Sequence, residues 1–192
     1  ICVDATSSMA GIQLDWLSAD IWFASVQKCF GLPAGLAVLI CSPRAIQKAQ
    51  ELQHLQHYNS LVFMARMAEV YQTTYTPNVL NIFLLKKLMQ TREPIDKVAH
   101  KIKQRADKLC QTLLRMGYTC LIADRRLRSD TVIALKDHPE KITFLKKTAL
   151  QEGFLLGNGY GKWKENTFRI ANFPAISDEA MEKLLAFLKK HK

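Results

Sequence analysis

The 192-residue sequence lacks the features that mark several classes of protein. It has no apolar run of the roughly 18 residues that a membrane-spanning helix needs. Its first residues lack the basic and then apolar layout of a signal peptide. The five cysteines are odd in number and include no C-x-x-C pair, which argues against a disulfide framework and a zinc ribbon. These absences favour a globular protein of a reducing, cytoplasmic compartment without a membrane partner.

The beginning of the sequence is unusual. It opens with Ile1-Cys2-Val3-Asp4 rather than with Met, and this stretch already reads as a buried strand. We therefore expect the sequence to be a piece of a longer chain. Apolar residues make up 48% of it, which is enough for a real core in one large domain or two small ones.

Positive charge is in clear excess, because 27 Lys and Arg residues face 17 Asp and Glu residues for a net charge of +10. Such a balance is compatible with a nucleic acid partner, an anionic small substrate or simple solubility. The basic residues recur at helical spacing in segments that also carry apolar faces, and no zinc-finger, RNP-like or basic-zipper pattern accompanies them. We predict that most of them are solvated helix surface and that the protein binds no nucleic acid. A non-catalytic module that binds polyanions remains the alternative function.

The residue pattern predicts an α/β protein. Strands are predicted at 1–6 and 21–26, joined by a connector long enough for a parallel crossover. The continuous apolar run at 36–42 predicts a strand buried on both faces. Helical patterns then cover 43–57, 60–72, 78–91 and 94–116.

The pattern of predicted elements changes near residue 92, where a run of helices gives way to a mixture of strands and helices. We place a domain boundary there. Beyond it, predicted strands and helices alternate in βαβ fashion. The strands lie at 118–123, 130–135 and 168–173, and the helices at about 139–152 and 177–190.

Lys28 ends the stretch "SVQK" after the second predicted strand, just before a turn that contains Gly31 and Pro33. Its neighbours are largely apolar, and such surroundings desolvate an ammonium group. Desolvated lysines form Schiff bases with carbonyl compounds. Taken alone, Lys28 is better explained as a surface lysine at a strand end.

Asp4 ends the first predicted strand, so its carboxylate is expected at the same sheet edge as Lys28, where α/β proteins bind ligands. A buried carboxylate needs a positive partner or hydrogen-bond donors. Pyridoxal phosphate fits this pair of residues, because its pyridinium nitrogen needs an acid and its aldehyde needs a lysine. Gln27, Thr6 and Ser7 then offer uncharged donors for its phosphate.

The stretches "VDATSS", "SVQK" and "GLPAGLAVLI" together resemble the central region of the class V aminotransferases. These are fold-type I pyridoxal-phosphate enzymes and include phosphoserine and alanine–glyoxylate aminotransferases. Gln27 directly before the lysine is typical of the aminotransferase branch, whereas desulfurases tend to have His there. The resemblance implies the C-terminal part of such an α/β transferase. Residues 1–92 would end the large cofactor domain, and residues 93–192 would form the small C-terminal domain.

The resemblance also implies roles for individual residues. Lys28 would hold the cofactor covalently and then move a proton between the substrate Cα and the cofactor. Asp4 would keep the pyridine nitrogen protonated, and Gln27 would bind the phosphate together with Thr6 and Ser7.

The stretch "TTYTPNVLNIF" resembles the Thr-Pro segment with which these enzymes reach the cofactor phosphate of the neighbouring subunit. Thr76 occupies the position of that threonine, before a predicted helix whose N-terminal N–H groups favour a phosphate. The resemblance therefore implies a homodimer with shared active sites. Without it, "YTPN" is an ordinary loop and helix start.

The stretch "FRIANFPAIS" resembles the segment whose arginine binds the α-carboxylate of the substrate, which is the position of Arg169. Alone, Arg169 would suggest a structural salt bridge. Phosphoserine aminotransferases carry a His-Arg pair just upstream, whereas this sequence has Lys162 and Trp163 in that region. The implied reaction moves an amino group between an amino acid and a 2-oxo acid. Whether the substrate is phosphorylated stays open, as does another class V activity such as desulfuration.

Three further features suggest sites only weakly. His54 and His57 have helical spacing but no third metal ligand at a suitable distance in sequence, so we predict exposed helix histidines and no metal site. Cys29 has no nearby His and is predicted to be a packed thiol. The glycine-rich stretch 157–161 lacks the ending of a phosphate-binding loop and is predicted to be a turn.

Overall fold

The computed structural model describes residues 1–191 and divides them into two compact units. The first unit comprises Ile1–Met9 and Leu14–Arg92, and the second comprises Ala10–Gln13 and the chain from Glu93 onward. No helix within residues 1–191 combines the length and the apolar character needed to cross a membrane.

A three-stranded sheet forms the centre of the first unit. Its strands are β1 (Cys2–Asp4), β2 (Ile21–Ser25) and β3 (Ala37–Cys41), in that spatial order. The β1–β2 pair is parallel, as the long connector predicts, and the β2–β3 pair is antiparallel. The helices of this unit are α1 (Pro43–Leu52), α2 (Leu61–Glu69) and α3 (Val79–Thr91).

The prediction that β3 is buried on both faces is wrong. Leu39 and Ile40 lie on opposite faces of β3, and each is 42% exposed. The reason is topological, because β3 pairs with β2 alone and lies at an edge of the sheet. A continuous apolar run predicted the strand correctly but could not reveal which faces are covered.

Side-chain caps begin all three helices of the first unit. Ser42, Ser60 and Asn78 each accept a hydrogen bond from a backbone N–H in the first turn of α1, α2 and α3. The predicted helix 43–57 is too long, because Gln53 has a left-handed backbone (φ 49°) that ends α1 at Leu52. The predicted helix histidines His54 and His57 therefore lie outside it, although both are exposed as predicted.

The second unit contains a four-stranded sheet with the order β4-β5-β7-β6. The strands are β4 (Thr119–Cys120), β5 (Val132–Lys136), β6 (Gly157–Asn158) and β7 (Thr167–Ala171), and the helices are α4 (Ile95–Arg115), α5 (Pro139–Gln151) and α6 (Asp178–Lys190). The predicted βαβ alternation is wrong, because β4 and β5 follow each other without an α-helix between them, as do β6 and β7. The stretch 157–161, predicted to be a turn, begins with the short strand β6. The strand pairs of this sheet are antiparallel, so the unit contains no parallel βαβ pairing among its described residues.

One hydrophobic core joins this sheet to α4, α5 and α6. The apolar stripe predicted for α4 is buried from Val98 to Leu113, whereas Ile95 at its start is 39% exposed. Phe168 is fully buried and meets Tyr118 edge to face, with ring centroids 5.8 Å apart. Because side chains alternate along a strand, the core on one face of β7 leaves Arg169 on the other.

Arg105 on α4 fixes the segment that follows β7. Its guanidinium donates to the carbonyl oxygens of Phe173 (2.7 Å) and Ile176 (2.5 Å) and to the side chain of Asn172. Asn172 is fully buried and donates in turn to the carbonyl oxygens of Ile102 and Asp130. This network anchors the chain between β7 and α6 within the second unit.

Candidate active site

Asp4 and Lys28 lie at the same edge of the first sheet. The parallel register pairs Asp4, the last residue of β1, with Phe23 of β2, and Lys28 follows shortly after β2 ends at Ser25. Adjacent strands are about 4.8 Å apart, so the segments that leave these two strands run side by side. The edge at the carboxyl ends of parallel strands is where α/β proteins bind ligands.

Two hydrogen bonds join the segments that follow β1 and β2. The backbone N–H of Ala5 donates to the carbonyl of Phe23 (2.9 Å), and the thiol of Cys29 donates to the carbonyl of Ser7 (3.2 Å). Burial raises the pKa of Cys29 to about 12, so the thiol stays protonated and able to donate. Cys29 is thus the packed thiol that the sequence predicts, and it also holds the Ser7 segment beside Lys28.

Backbone contacts fix the turn that carries Lys28. The N–H of Gly31 donates to the carbonyl of Lys28 (2.9 Å), and the N–H of Leu32 donates to the carbonyl of Val26 (3.1 Å). Gly31 has a φ of 72°, which a residue with a side chain rarely adopts. Lys28 is half-buried between the buried Val26 and Cys29, so its environment is partly apolar, as expected.

Asp4 differs from the prediction, because its carboxylate is exposed rather than buried. β1 lies at an edge of the sheet, and hydrogen bonds from Thr6 take the place of a cationic partner. The backbone N–H of Thr6 donates to Asp4 Oδ1 (2.9 Å). Hydrogen bonds from the side chain and backbone of Thr6 lower the pKa of Asp4, so the carboxylate is ionised at neutral pH.

The other candidate donors lie around the same edge. Thr6 and Ser7 are half-buried in the turn after β1, and Gln27 is exposed directly before Lys28. The structure thus brings together five of the residues selected from the sequence, namely Asp4, Thr6, Ser7, Gln27 and Lys28.

Thr76 is exposed and lies two residues before Asn78, the N-cap of α3. The preceding Tyr75 stacks on Tyr58, with ring centroids 4.3 Å apart and an interplanar angle of 4°. The helix start that the sequence predicts after this threonine is therefore present.

Asn81 is a structural link that sequence reasoning missed. Its buried side chain donates to the carbonyls of Pro33 (3.3 Å) and Ala34 (3.2 Å) in the turn that follows Lys28. This contact connects the start of α3, and hence the Thr76 segment, to the Lys28 turn within the first unit. The available signal was one amide, Asn81, among the apolar residues that follow Asn78 in the predicted helix.

Arg169 lies in the second unit, in the middle of β7, and is half-buried. Its Nε donates to the carbonyl of Asn158 (2.5 Å), and its Cζ lies 4.3 Å from the ring centroid of Tyr160. Within residues 1–191, no carboxylate forms a salt bridge with Arg169. The structural ion pair that Arg169 alone would suggest is therefore absent from the part of the chain that the structure describes.

A second cation, Lys146, lies close enough to Arg169 for the guanidinium charge to act on its ammonium group. Burial of the Lys146 ammonium group lowers its pKa, the nearby Glu165 opposes this shift, and the positive charge of Arg169 adds to it. Lys146 donates to the carbonyl of Thr167 (2.9 Å). Lys162, just upstream, lies with its Nζ 5.3 Å from the ring centroid of Trp163.

No group of at least three His, Cys, Asp or Glu side chains among residues 1–191 is arranged to hold a metal ion. The groups that the structure offers at this edge are a carboxylate that ends β1 and a lysine that follows β2. α/β proteins bind ligands at this edge of a sheet.

The family follows from comparison with known proteins. Residues 1–148 match the family model described as aminotransferase class V. The chain belongs to the class V aminotransferase family, which confirms the resemblance found in the sequence.

The relatives include enzymes named phosphoserine aminotransferase. The chain is 26% identical to one from Rhodococcus opacus and 26% identical to one from Corynebacterium glutamicum. Each alignment covers 96% of the present chain. These alignments cover 52% and 51% of the two relatives. The chain therefore spans about half the length of the curated relatives it matches.

Solved structures agree with this assignment. A phosphoserine aminotransferase from Cytophaga hutchinsonii is 37% identical and superposes with a TM-score of 0.85 over 99% of this chain and 54% of its own. An alanine–glyoxylate aminotransferase from Nostoc sp. also gives a TM-score of 0.85, at 18% identity, over 99% of this chain and 53% of its own. The predicted fold class is confirmed, and the chain matches about half of each structure.

Proposed function

We propose that this chain is the C-terminal part of a pyridoxal-phosphate-dependent aminotransferase. Residues 1–92 would complete the large cofactor-binding domain, and residues 93–192 would form the small domain. The whole enzyme would move an amino group from an amino acid to a 2-oxo acid. The family membership supports this proposal, and the comparisons give no support to a polyanion-binding module.

The register of β1 against β2 is the observation that carries the proposal. It sets Asp4 beside the end of the strand that leads to Lys28, and the Cys29–Ser7 hydrogen bond keeps the two following segments in contact. An acid and a lysine held at one sheet edge are the groups that pyridoxal phosphate needs at opposite sides of its ring.

The side chains at this edge fit the cofactor in their chemistry. The ionised Asp4 can pair with a protonated ring nitrogen, because hydrogen bonds from Thr6 already stabilise its negative charge. Lys28 lies half-buried beside apolar residues, and its primary amine is the group that forms a Schiff base with an aldehyde. Thr6, Ser7 and Gln27 offer hydroxyl and amide donors suited to a phosphate.

When bound, the cofactor supplies an electron sink that stabilises negative charge at the substrate Cα. Lys28 would hold the cofactor aldehyde through its Nζ, and the same nitrogen, when it is a free amine, would carry the proton removed from the substrate Cα. Asp4 would keep a proton on the ring nitrogen. Gln27, Thr6 and Ser7 would bind the phosphate, and their fixed positions beside Lys28 would orient the ring.

Thr76 would complete the phosphate site of a second subunit, so the working enzyme would be a homodimer. Its exposure and its place just before α3 support this role, because a side chain that reaches a partner must be accessible and helix N-termini favour phosphates. We also propose a cytoplasmic enzyme without a nucleic acid or membrane partner.

Arg169 would bind the α-carboxylate of the substrate. Arg169 forms no salt bridge within residues 1–191, which supports this role. A guanidinium group that is not paired with a protein carboxylate can donate two hydrogen bonds to the carboxylate of a ligand. The amino donor is proposed to be phosphoserine, as the names of the relatives suggest. Lys162 and Lys164 could then meet its phosphate in place of the His-Arg pair.

Reduction with borohydride tests the assignment of Lys28 in the full-length protein. We expect the protein to purify with a visible cofactor absorption, and borohydride should fix the cofactor onto the peptide that contains Lys28. Lys28→Ala should lose both the colour and the labelled peptide, whereas Lys48→Ala, at an exposed position of α1, should keep both. A Lys28→Ala protein that stays yellow and labelled would overturn the assignment. A colourless protein with salt-dependent DNA affinity would instead favour the polyanion-binding module.

A further inference from the structure

We propose that Tyr160 is a positioning residue for Arg169, and that its ring holds the guanidinium so that the two Nη groups are available to a carboxylate. This inference rests on the carboxylate-binding role proposed for Arg169. It adds a residue to the substrate site that the sequence pattern had treated as part of a plain turn.

The contact between the two side chains has the geometry of a cation–π interaction. Arg169 Cζ lies 4.3 Å from the centroid of the Tyr160 ring, well inside the limit of about 6 Å for such contacts. Tyr160 is 69% exposed, so its ring is held over the guanidinium at the surface and not in the core. The π face stabilises the positive charge of Arg169, which forms no salt bridge with a carboxylate of residues 1–191.

The hydrogen bonds of Arg169 leave the outer part of its fork available. Its Nε donates to the carbonyl of Asn158, and across residues 1–191 neither Nη atom makes a hydrogen bond. Arg105 and Arg125 in the same unit behave differently, because both use Nη groups on protein oxygens. The guanidinium is therefore held at Nε by Asn158 and on one face by the ring of Tyr160. Its two Nη groups keep the N–H donors that bind a carboxylate.

A glycine sets the position of Tyr160. Gly157, on β6, lies directly opposite Arg169 on β7, and a Cβ there would lie 3.3 Å from the carbonyl oxygen of Arg169. A Cβ on Gly159 would overlap the carbonyl of Trp163 and approach Thr167 Cβ at 2.9 Å. The loop can close this tightly only with glycine there, and Tyr160 follows directly.

The charges near Arg169 favour an anionic ligand. Lys146 lies within electrostatic range of Arg169, and Glu165 acts on Lys146 from the same region. Two cations with one nearby carboxylate leave local positive charge, which a ligand carboxylate would neutralise. Tyr160 adds no charge, so it can hold the guanidinium without competing with that ligand.

The test uses the full-length protein with 15N-labelled arginine and propionate, a carboxylate that has neither an amino nor an oxo group. The Nε–Hε resonance of Arg169, assigned with Arg169→Lys, should carry a ring-current shift in the wild type and in Tyr160→Phe. Tyr160→Leu should lose this shift. Trp163→Leu is the matched control, because it removes an aromatic ring from the same loop whose cation–π contact is with Lys162.

Propionate titrations followed at that resonance measure the consequence for binding. Tyr160→Leu should weaken propionate binding by about 2- to 5-fold, the range expected from losing a cation–π contact at an exposed site. Tyr160→Phe and Trp163→Leu should bind as the wild type does. In transamination assays, Tyr160→Leu should raise KM for the amino acid by a similar factor and change kcat less.

The outcomes separate this inference from the proposed function. If the wild type binds propionate at Arg169 and Tyr160→Leu binds it equally well, the positioning role of Tyr160 is wrong and the role of Arg169 stands. If propionate does not perturb the Arg169 resonance in the wild type, the carboxylate role of Arg169 is wrong, and the positioning role falls with it. Loss of affinity in both Tyr160→Leu and Tyr160→Phe would assign the effect to the hydroxyl and also overturn the stacking role.

Discussion

The two candidate regions of this protein are held in place by different means. Asp4 and Lys28 owe their positions to backbone pairing. Asp4 ends one strand of a parallel pair, Lys28 follows the other strand, and main-chain hydrogen bonds close the turn after each strand. Arg169 owes the placement of its guanidinium to contacts of its side chain with Asn158 and Tyr160. The chemistry of the first region therefore depends on sheet register, and that of the second on individual side chains.

The two units also differ in how they bury apolar residues. The second unit has a continuous core between its sheet and three helices. In the first unit, apolar side chains on β2 and β3 stay exposed, with Phe23 at 38% and Leu39 at 42%. Arg169 thus lies on the face of its sheet opposite the hydrophobic core. Asp4 and Lys28 lie at the edge of a sheet that leaves apolar side chains exposed within residues 1–191.

Loss of Lys28 should have the largest effect on activity. In the full-length enzyme, Lys28→Ala should lower kcat by about 10²- to 10⁴-fold, because it removes the proposed proton carrier. Arg169→Ala should leave much of kcat intact, so single-turnover and steady-state kinetics would separate the two regions. Equal losses of kcat in both variants would contradict the division of roles.

Loss of Arg169 should act mainly on substrate binding. Arg169→Ala should raise KM for the amino acid by about 10- to 150-fold, the range expected for losing hydrogen bonds to a charged group. Arg66→Ala is a suitable control, because Arg66 donates to Gln53 in the first unit and has no proposed catalytic role. An unchanged KM in Arg169→Ala would remove Arg169 from the substrate site.

Asn81 tests whether the first region depends on any single side chain for stability. Asn81→Ala should lower the free energy of unfolding by about 1–3 kcal/mol, because it leaves the carbonyls of Pro33 and Ala34 without their buried donor. Gln90→Ala removes an exposed amide from the same helix and should change it little. Urea unfolding of the three full-length proteins makes the comparison, and equal midpoints for all of them would argue against this link.

The smallest expected effect concerns the titration of Asp4. Thr6→Val removes the side-chain hydrogen bond that lowers the Asp4 pKa, so this pKa should rise toward its ordinary value. Because the folded-state pKa lies below the unfolded one, the associated stability is present above the ordinary carboxyl range and is lost as pH falls through the folded-state pKa. Thr6→Val should therefore make unfolding less sensitive to acid. Carboxyl NMR titration checks the shift, with Thr73→Val as a control in an exposed loop.

Much of the fold could be predicted from the sequence. The six helices and the main strands follow from apolar periodicity and from caps such as Ser42 and Ser177. The antiparallel pairing of β5 with β7 could not be predicted, because periodicity reports which faces are apolar and not which strands meet. The exposure of Asp4 was missed for the same reason, since it depends on β1 lying at an edge of the sheet.

The sequence by itself determined the family and the two residues on which the proposed chemistry depends. Asp4 and Lys28 lie in short motifs that can be recognised without knowing how the chain packs. Only the tertiary structure decided what holds Arg169. Asn158 and Tyr160 meet it through a strand pair and a glycine turn, and the ring and the guanidinium come together only when β6 folds back along β7. Local composition encodes which groups are present, whereas contacts between residues far apart in the chain depend on the folded backbone.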